Sequence, residues 1–127
     1  MSALLVVTIL GTMAFGLVIW QHNVVTDLAR EGARWASVRG ASSGKQAATA
    51  AQVQSFVQSL APGTLLTVTT TSADPATRGC TTTGVDPSSL GPGTDVCVTV
   101  ERRFTTLTRL MPYGAVTLEG TAQRVMD

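Results

Sequence analysis

Residues 4–40 read LLVVTILGTMAFGLVIWQHNVVTDLAREGARWASVRG, and no proline interrupts them. From Ala3 to Trp20 no side chain is ionisable; Thr8 and Thr12 carry the only hydroxyls, and Gly11 and Gly16 leave small gaps. At about 1.5 Å per residue this uncharged run spans roughly 27 Å as a helix, close to the hydrocarbon thickness of a bilayer. A threonine hydroxyl on a helix can bond a carbonyl one turn earlier, so neither threonine forbids burial in lipid. Trp20 and His22 stand where an interfacial anchor belongs. A secretory signal would need a basic n-region, which Met1-Ser2-Ala3 does not supply. A core helix would seldom stay uncharged on every face for five turns. The stretch predicts one long helix, half in lipid and half outside it.

Outward from there, Val24, Leu28 and Trp35 recur at helical spacing with Val25 and Gly32 beside them, forming an apolar stripe. Ala29, Ala33, Ala36 and Gly40 form a second ridge of small side chains, of the kind that lets another backbone approach closely. Asp27 with Arg30, and Glu31 with Arg34, place opposite charges at i,i+3, a contribution of a few tenths of a kcal/mol each.

The 127 residues leave room for one small domain, and the division expected is an assembly helix over 1–40 and an α+β domain over 41–127. A net charge of +1 with 13% charged residues gives no electrostatic case for nucleic acid. Aromatic residues make up only 5%, so any core outside the membrane must be aliphatic and thin, and a covalent staple would help it. Cys80 and Cys97 could supply one, at roughly 3 kcal/mol in the chain-entropy model. That bond would persist only in an oxidising compartment; two free thiols are the alternative. A metal site lacks donors there, since the sole histidine is His22.

Gly40 to Gly44 should stop the long helix, and residues 45–60 read as a second one. Its apolar positions are Ala48, Ala51, Val53, Phe56, Val57 and Leu60, and Pro62-Gly63 ends it. Residues 65–71 read as a strand, 72–94 as a heavily punctuated loop, and 95–104 as a strand alternating Val96, Val98 and Val100 against Cys97, Thr99 and Glu101. Residues 105–113 suggest a short helical turn, and 115–125 a last strand. The fold class is α+β: a membrane-spanning helix continuing into a small domain with a second helix and a three- to four-stranded antiparallel sheet.

No catalytic constellation is legible. His22 has no nucleophile near it in sequence, the acids beyond the long helix are scattered singly, and no phosphate-binding or metalloprotease motif occurs. The expectation is a chain that is not an enzyme and takes no cofactor, metal or small-molecule substrate. Arg102-Arg103, the one basic doublet, reads as the solvated edge of a strand in preference to a membrane, phosphate or partner contact.

An apolar helix running into Ala29-Arg30-Glu31-Gly32-Ala33-Arg34, followed by Trp35-Ala36-Ser37-Val38-Arg39-Gly40, resembles the TadE-like minor pseudopilins of tight-adherence (type IVc) pilus systems. The resemblance extends more weakly to the C-terminal pattern of strand, leucine- and proline-containing link, and strand with small residues. It implies a pilin-like domain held in the bacterial cytoplasmic membrane by a single helix. Its partners would be other pilin and pseudopilin subunits, inner-membrane pilus assembly proteins and the lipid bilayer. Assembly would proceed by helix packing through Ala29, Arg30, Glu31, Gly32, Ala33, Arg34 and Ala36, with incorporation into a surface pilus as the further expectation. The competing function is a membrane-anchored extracytoplasmic module that presents the 72–94 loop, clamped by Cys80 and Cys97, to a ligand.

Two departures accompany the resemblance. Prepilin-type precursors carry a short basic leader and an acid early in the mature helix, whereas nothing precedes Met1 here and the first acid is Asp27. Arg30, Arg34, Arg39 and Lys45 follow the apolar run, which by the positive-inside rule alone would hold the domain in the cytoplasm. The resemblance and a disulfide both place it outside; either the chain starts late or this member is not processed by a prepilin peptidase, and of the two a missing basic leader is preferred because it would reconcile the topology.

Overall fold

The computed structural model describes residues 2–41, 47–74, 76–104 and 116–127. Helix α1 runs from Ser2 to Ser37 without a break, roughly 54 Å at the standard rise. Its two halves live in different surroundings. None of residues 2–20 is buried, whereas from Val25 onward one face is covered: Val25, Ala29, Gly32, Ala33, Ala36 and Ser37. Both threonines of the apolar half are satisfied within the helix. Thr8 Oγ1 donates to Leu5 O at 2.9 Å, and Thr12 Oγ1 to Ile9 O at 2.9 Å.

The sheet is antiparallel, built from β1 (Leu66–Ala73), β2 (Cys80–Gly84), β3 (Asp95–Phe104) and β4 (Val116–Val125) in the order β2-β1-β3-β4. Alternation along β3 assigns the faces. Val96, Val98 and Val100 are fully buried toward the helices, while Thr99 and Thr121 share a hydroxyl contact of 3.2 Å on the outer side. In register, Val98 sits opposite Ala122 and Val100 opposite Gly120. The core is aliphatic: Val25, Val53, Val57, Leu66, Leu90, the three β3 valines and Met126 pack around the alanines of α1. Trp35 and Phe56 stack at its margin with ring centroids 5.0 Å apart, and the Arg39 guanidinium lies 4.0 Å from the Trp35 ring centre.

Helix α2 (Ala50–Leu60) starts later than residue 45 because Thr49 caps it. Gln52 N donates to Thr49 Oγ1 and Thr49 N to Gln52 Oε1, the reciprocal box that satisfies two otherwise orphaned donors. The Asp86 carboxylate accepts from Ala50 N at 2.7 Å, placing negative charge at the helix N-terminus. Lys45 and Gln46, expected inside this helix, lie outside the described residues. So does the short turn expected over 105–113.

The stretch 72–94 is not the loop expected. It contains β2, and a 3₁₀ turn at Pro87–Ser89 follows. Asp74 organises the β1–β2 connection: Arg78 N donates to its carbonyl at 2.8 Å and Ala76 N to its carboxylate at 3.0 Å. Further along, Val85 N donates to Thr70 O at 2.9 Å and Ser88 N to Ala48 O at 3.0 Å, while Pro87 and Leu90 are buried. Cys80 and Cys97 form a disulfide, with their Cα atoms 5.8 Å apart, joining β2 to β3. The staple expected for a thin core is present.

Candidate functional site

Among the described residues, the apolar half of α1 is left uncovered along its whole length. Leu4, Val7, Leu10, Met13, Phe15, Leu17 and Trp20 are all exposed, and Phe15 retains 68% of its area. Isolated exposed leucines need no explanation, but a contiguous apolar surface on every side of a helix does. This helix is long and apolar enough to cross a membrane. A Cβ added at Gly11 or Gly16 would meet nothing within 4 Å, so both small gaps are open to another helix.

Just over two turns further along α1 carry Ala29, Arg30, Glu31, Gly32, Ala33, Arg34 and Ala36, and the fold divides them. Ala29, Gly32, Ala33 and Ala36 are buried inside the chain. The close approach that this ridge of small residues invites is made by the chain's own elements. A Cβ on Gly32 would lie 2.8 Å from Val57 Cγ2 and 3.2 Å from Val98 Cγ1. One on Gly120 of β4 would lie 2.9 Å from the backbone of Val25 and Thr26. Among the described residues, all four small positions are covered by the chain's own elements. The signal for this contact was Gly120 itself, since a glycine within a strand pattern marks close backbone approach.

Arg30, Glu31 and Arg34 point outward. Asp27 and Arg30 form the first expected ion pair at 3.6 Å, and with both side chains more than 70% exposed it adds little to stability. Glu31 and Arg34 form no ion pair among the described residues; both line a groove of ≈ 390 Å³ between α1 and β4. Arg30, Gln123 and Arg124 complete its polar wall. Sequence reasoning missed Gln123 and Arg124, because their place opposite the motif depends on β4 running beside α1. A second hollow, lined by Ser37, Asp95 and Asp127, shares Gln123 and Arg124 with the groove, and there Gln123 Nε2 donates to Asp95 at 2.7 Å.

Together these features define a small α+β domain on a helix whose free half could anchor it in a membrane. The family described as TadE-like protein matches residues 1–34, so the chain is similar to that family over its N-terminal segment. The match covers the apolar half and runs through Arg34, the last residue of the charged and small-residue motif. No curated protein and no solved structure matches the chain.

Proposed function

We propose that this chain is a non-enzymatic minor pseudopilin of a tight-adherence type pilus system. Its apolar helix half is held in the cytoplasmic membrane, and its disulfide-bonded domain faces the extracytoplasmic side. One observation carries the reading: α1 leaves about five turns of uncharged helix with no partner among the described residues, while the rest of the same helix is the spine of the domain. Such a helix is stable only in lipid or against other apolar helices. The match over residues 1–34 supports a pilus component, and the Cys80–Cys97 bond supports export to an oxidising compartment.

In this reading neighbouring subunits pack through two surfaces: the apolar half with its open glycines, and the outward charges Arg30, Glu31 and Arg34 beside Arg124. In the same reading the buried alanines serve the fold of the subunit, so enlarging them would disturb folding before it disturbed assembly. The test is co-purification of other pilus subunits with the chain from native membranes. Reversing Arg30, Glu31 and Arg34 together should abolish co-purification while the protein stays folded and inserted. Undiminished co-purification from that variant would refute the charged face as a subunit contact. Deleting residues within β2 offers the opposite control. A ligand-presenting module would lose its function there while tolerating the charge reversals.

A further inference from the structure

As a strand edge facing water, Arg102-Arg103 would need no comment, but the sheet sets this doublet beside the end of the apolar run. Strand β4 runs alongside α1 in the same direction, with Gly120 against Val25 and Thr26 and Asp127 N donating to Ser37 O at 3.2 Å. Following β4 back to its start therefore leads toward the apolar half. At that end Arg102 of β3 donates from its guanidinium to the Gln21 side-chain carbonyl, one residue past Trp20. The β3–β4 ladder continues beyond Arg102 to the pair Phe104 and Val116. Two more residues carry the sheet roughly 7 Å past the Gln21 level, alongside helix that bears no charge.

The side chains of this end suit a lipid interface. Leu65 precedes Leu66, which pairs with Arg102, and is 94% exposed. Arg103 is exposed, as is Trp20 on the helix. Arginine can lay its apolar stem along acyl chains and keep its head among phosphates, and tryptophan favours the same depth. Glu101 and Glu119 oppose each other one rung to the domain side of Arg102, where like charges across a ladder face water. Acidic, basic and apolar groups thus follow one another in the order that a headgroup layer would impose.

We infer that this end of the sheet is a membrane-seating surface. The Gln21–Arg102 bond fixes its depth, Arg103 binds phospholipid phosphates, and Leu65 enters the interface. The domain then rests on the bilayer before assembly, held at a defined height and angle. This inference depends on the anchoring proposed above, and the test separates the two.

The full chain is reconstituted in phosphatidylglycerol–phosphatidylcholine vesicles with an environment-sensitive fluorophore on one introduced cysteine: Phe15→Cys, Leu65→Cys or Ala76→Cys. Quenching by nitroxide-bearing lipids is then measured at each position. Seating predicts deep quenching at position 15, shallow quenching at 65 several-fold above that at 76, and a loss of most quenching at 65 on adding Arg103→Glu. Quenching at 15 with position 65 no different from 76 would overturn the seating while sparing the anchor. Equal quenching at 65 with and without Arg103→Glu would overturn the phosphate contact. No quenching at 15 would overturn the anchor, and the seating with it.

Discussion

Three glycines contact the core differently enough to rank the cost of filling them. At Gly120 an added methyl would stand 2.9 Å from Val25 C, Thr26 N and Thr26 Cα, all backbone atoms of α1. No rotamer change relieves that, so β4 and the helix must separate by several tenths of an ångström, which loosens the valine layer behind them. Overpacking of this kind costs about 1–3 kcal/mol, and a backbone-to-backbone clash belongs at the upper end. Gly32→Ala meets Val57 Cγ2 at 2.8 Å and Val98 Cγ1 at 3.2 Å, side-chain methyls with limited room to turn, and should cost about 1–2 kcal/mol. At Gly40 the nearest atom is Met126 Cε at 2.7 Å, the far end of a flexible side chain, so alanine there should cost under about 1 kcal/mol. Gly91, with nothing within 4 Å, is the control. For a domain of this size about 2–3 kcal/mol lowers Tm by roughly 8–24 °C. The assay is thermal unfolding of the full chain in detergent, with the disulfide intact and Trp35 fluorescence as the probe. The order 120, 32, 40, 91 is the expected result. Gly120→Ala within about 0.5 kcal/mol of the parent would refute the packing of β4 on α1.

Other expectations follow from the same contacts. Replacing both Cys80 and Cys97 by alanine should lower stability by roughly 3 kcal/mol, read as a shift in the denaturant midpoint; an unchanged midpoint would count against the staple. Thr49→Ala, which removes the capping box of α2, should cost about 1 kcal/mol, whereas Thr83→Ala on exposed β2 should be near neutral. Ala33→Leu should destabilise the isolated chain by about 1–3 kcal/mol, because position 33 is fully buried within it; a stable variant deficient only in assembly would restore Ala33 as a subunit contact.

How much of this was legible depends on whether a signal was local. The long helix needed only an unbroken apolar run, and β3 only its alternating valines; both ends of β3 fell at residues 95 and 104 as read. The strand β2 was hidden because its three threonines sit between Gly79 and Gly84, and its pairing with β1 is stabilised by a turn around Asp74 that no periodicity reveals. The start of α2 was legible in principle from Thr49 and Gln52, but the alanines before Thr49 suit a helix equally well. The motif on α1 was found but not its neighbours. A ridge of small residues states that a backbone comes close, not whose backbone. In the fold Gly120 of β4 meets α1 at Val25 and Thr26, ahead of that ridge, and Gly32 meets the Val57 and Val98 side chains, pairings that depend on how the sheet lies on the helix.

Thiol labelling decides whether this chain is a pilus subunit anchored by α1 with its domain outside the cytoplasm. Spheroplasts are treated with a membrane-impermeant maleimide, with and without an impermeant reductant. Cys80 and Cys97 should label from outside and only after reduction. Labelling that needs lysis but no reductant would place the domain in the cytoplasm with free thiols, and would contradict the proposed topology.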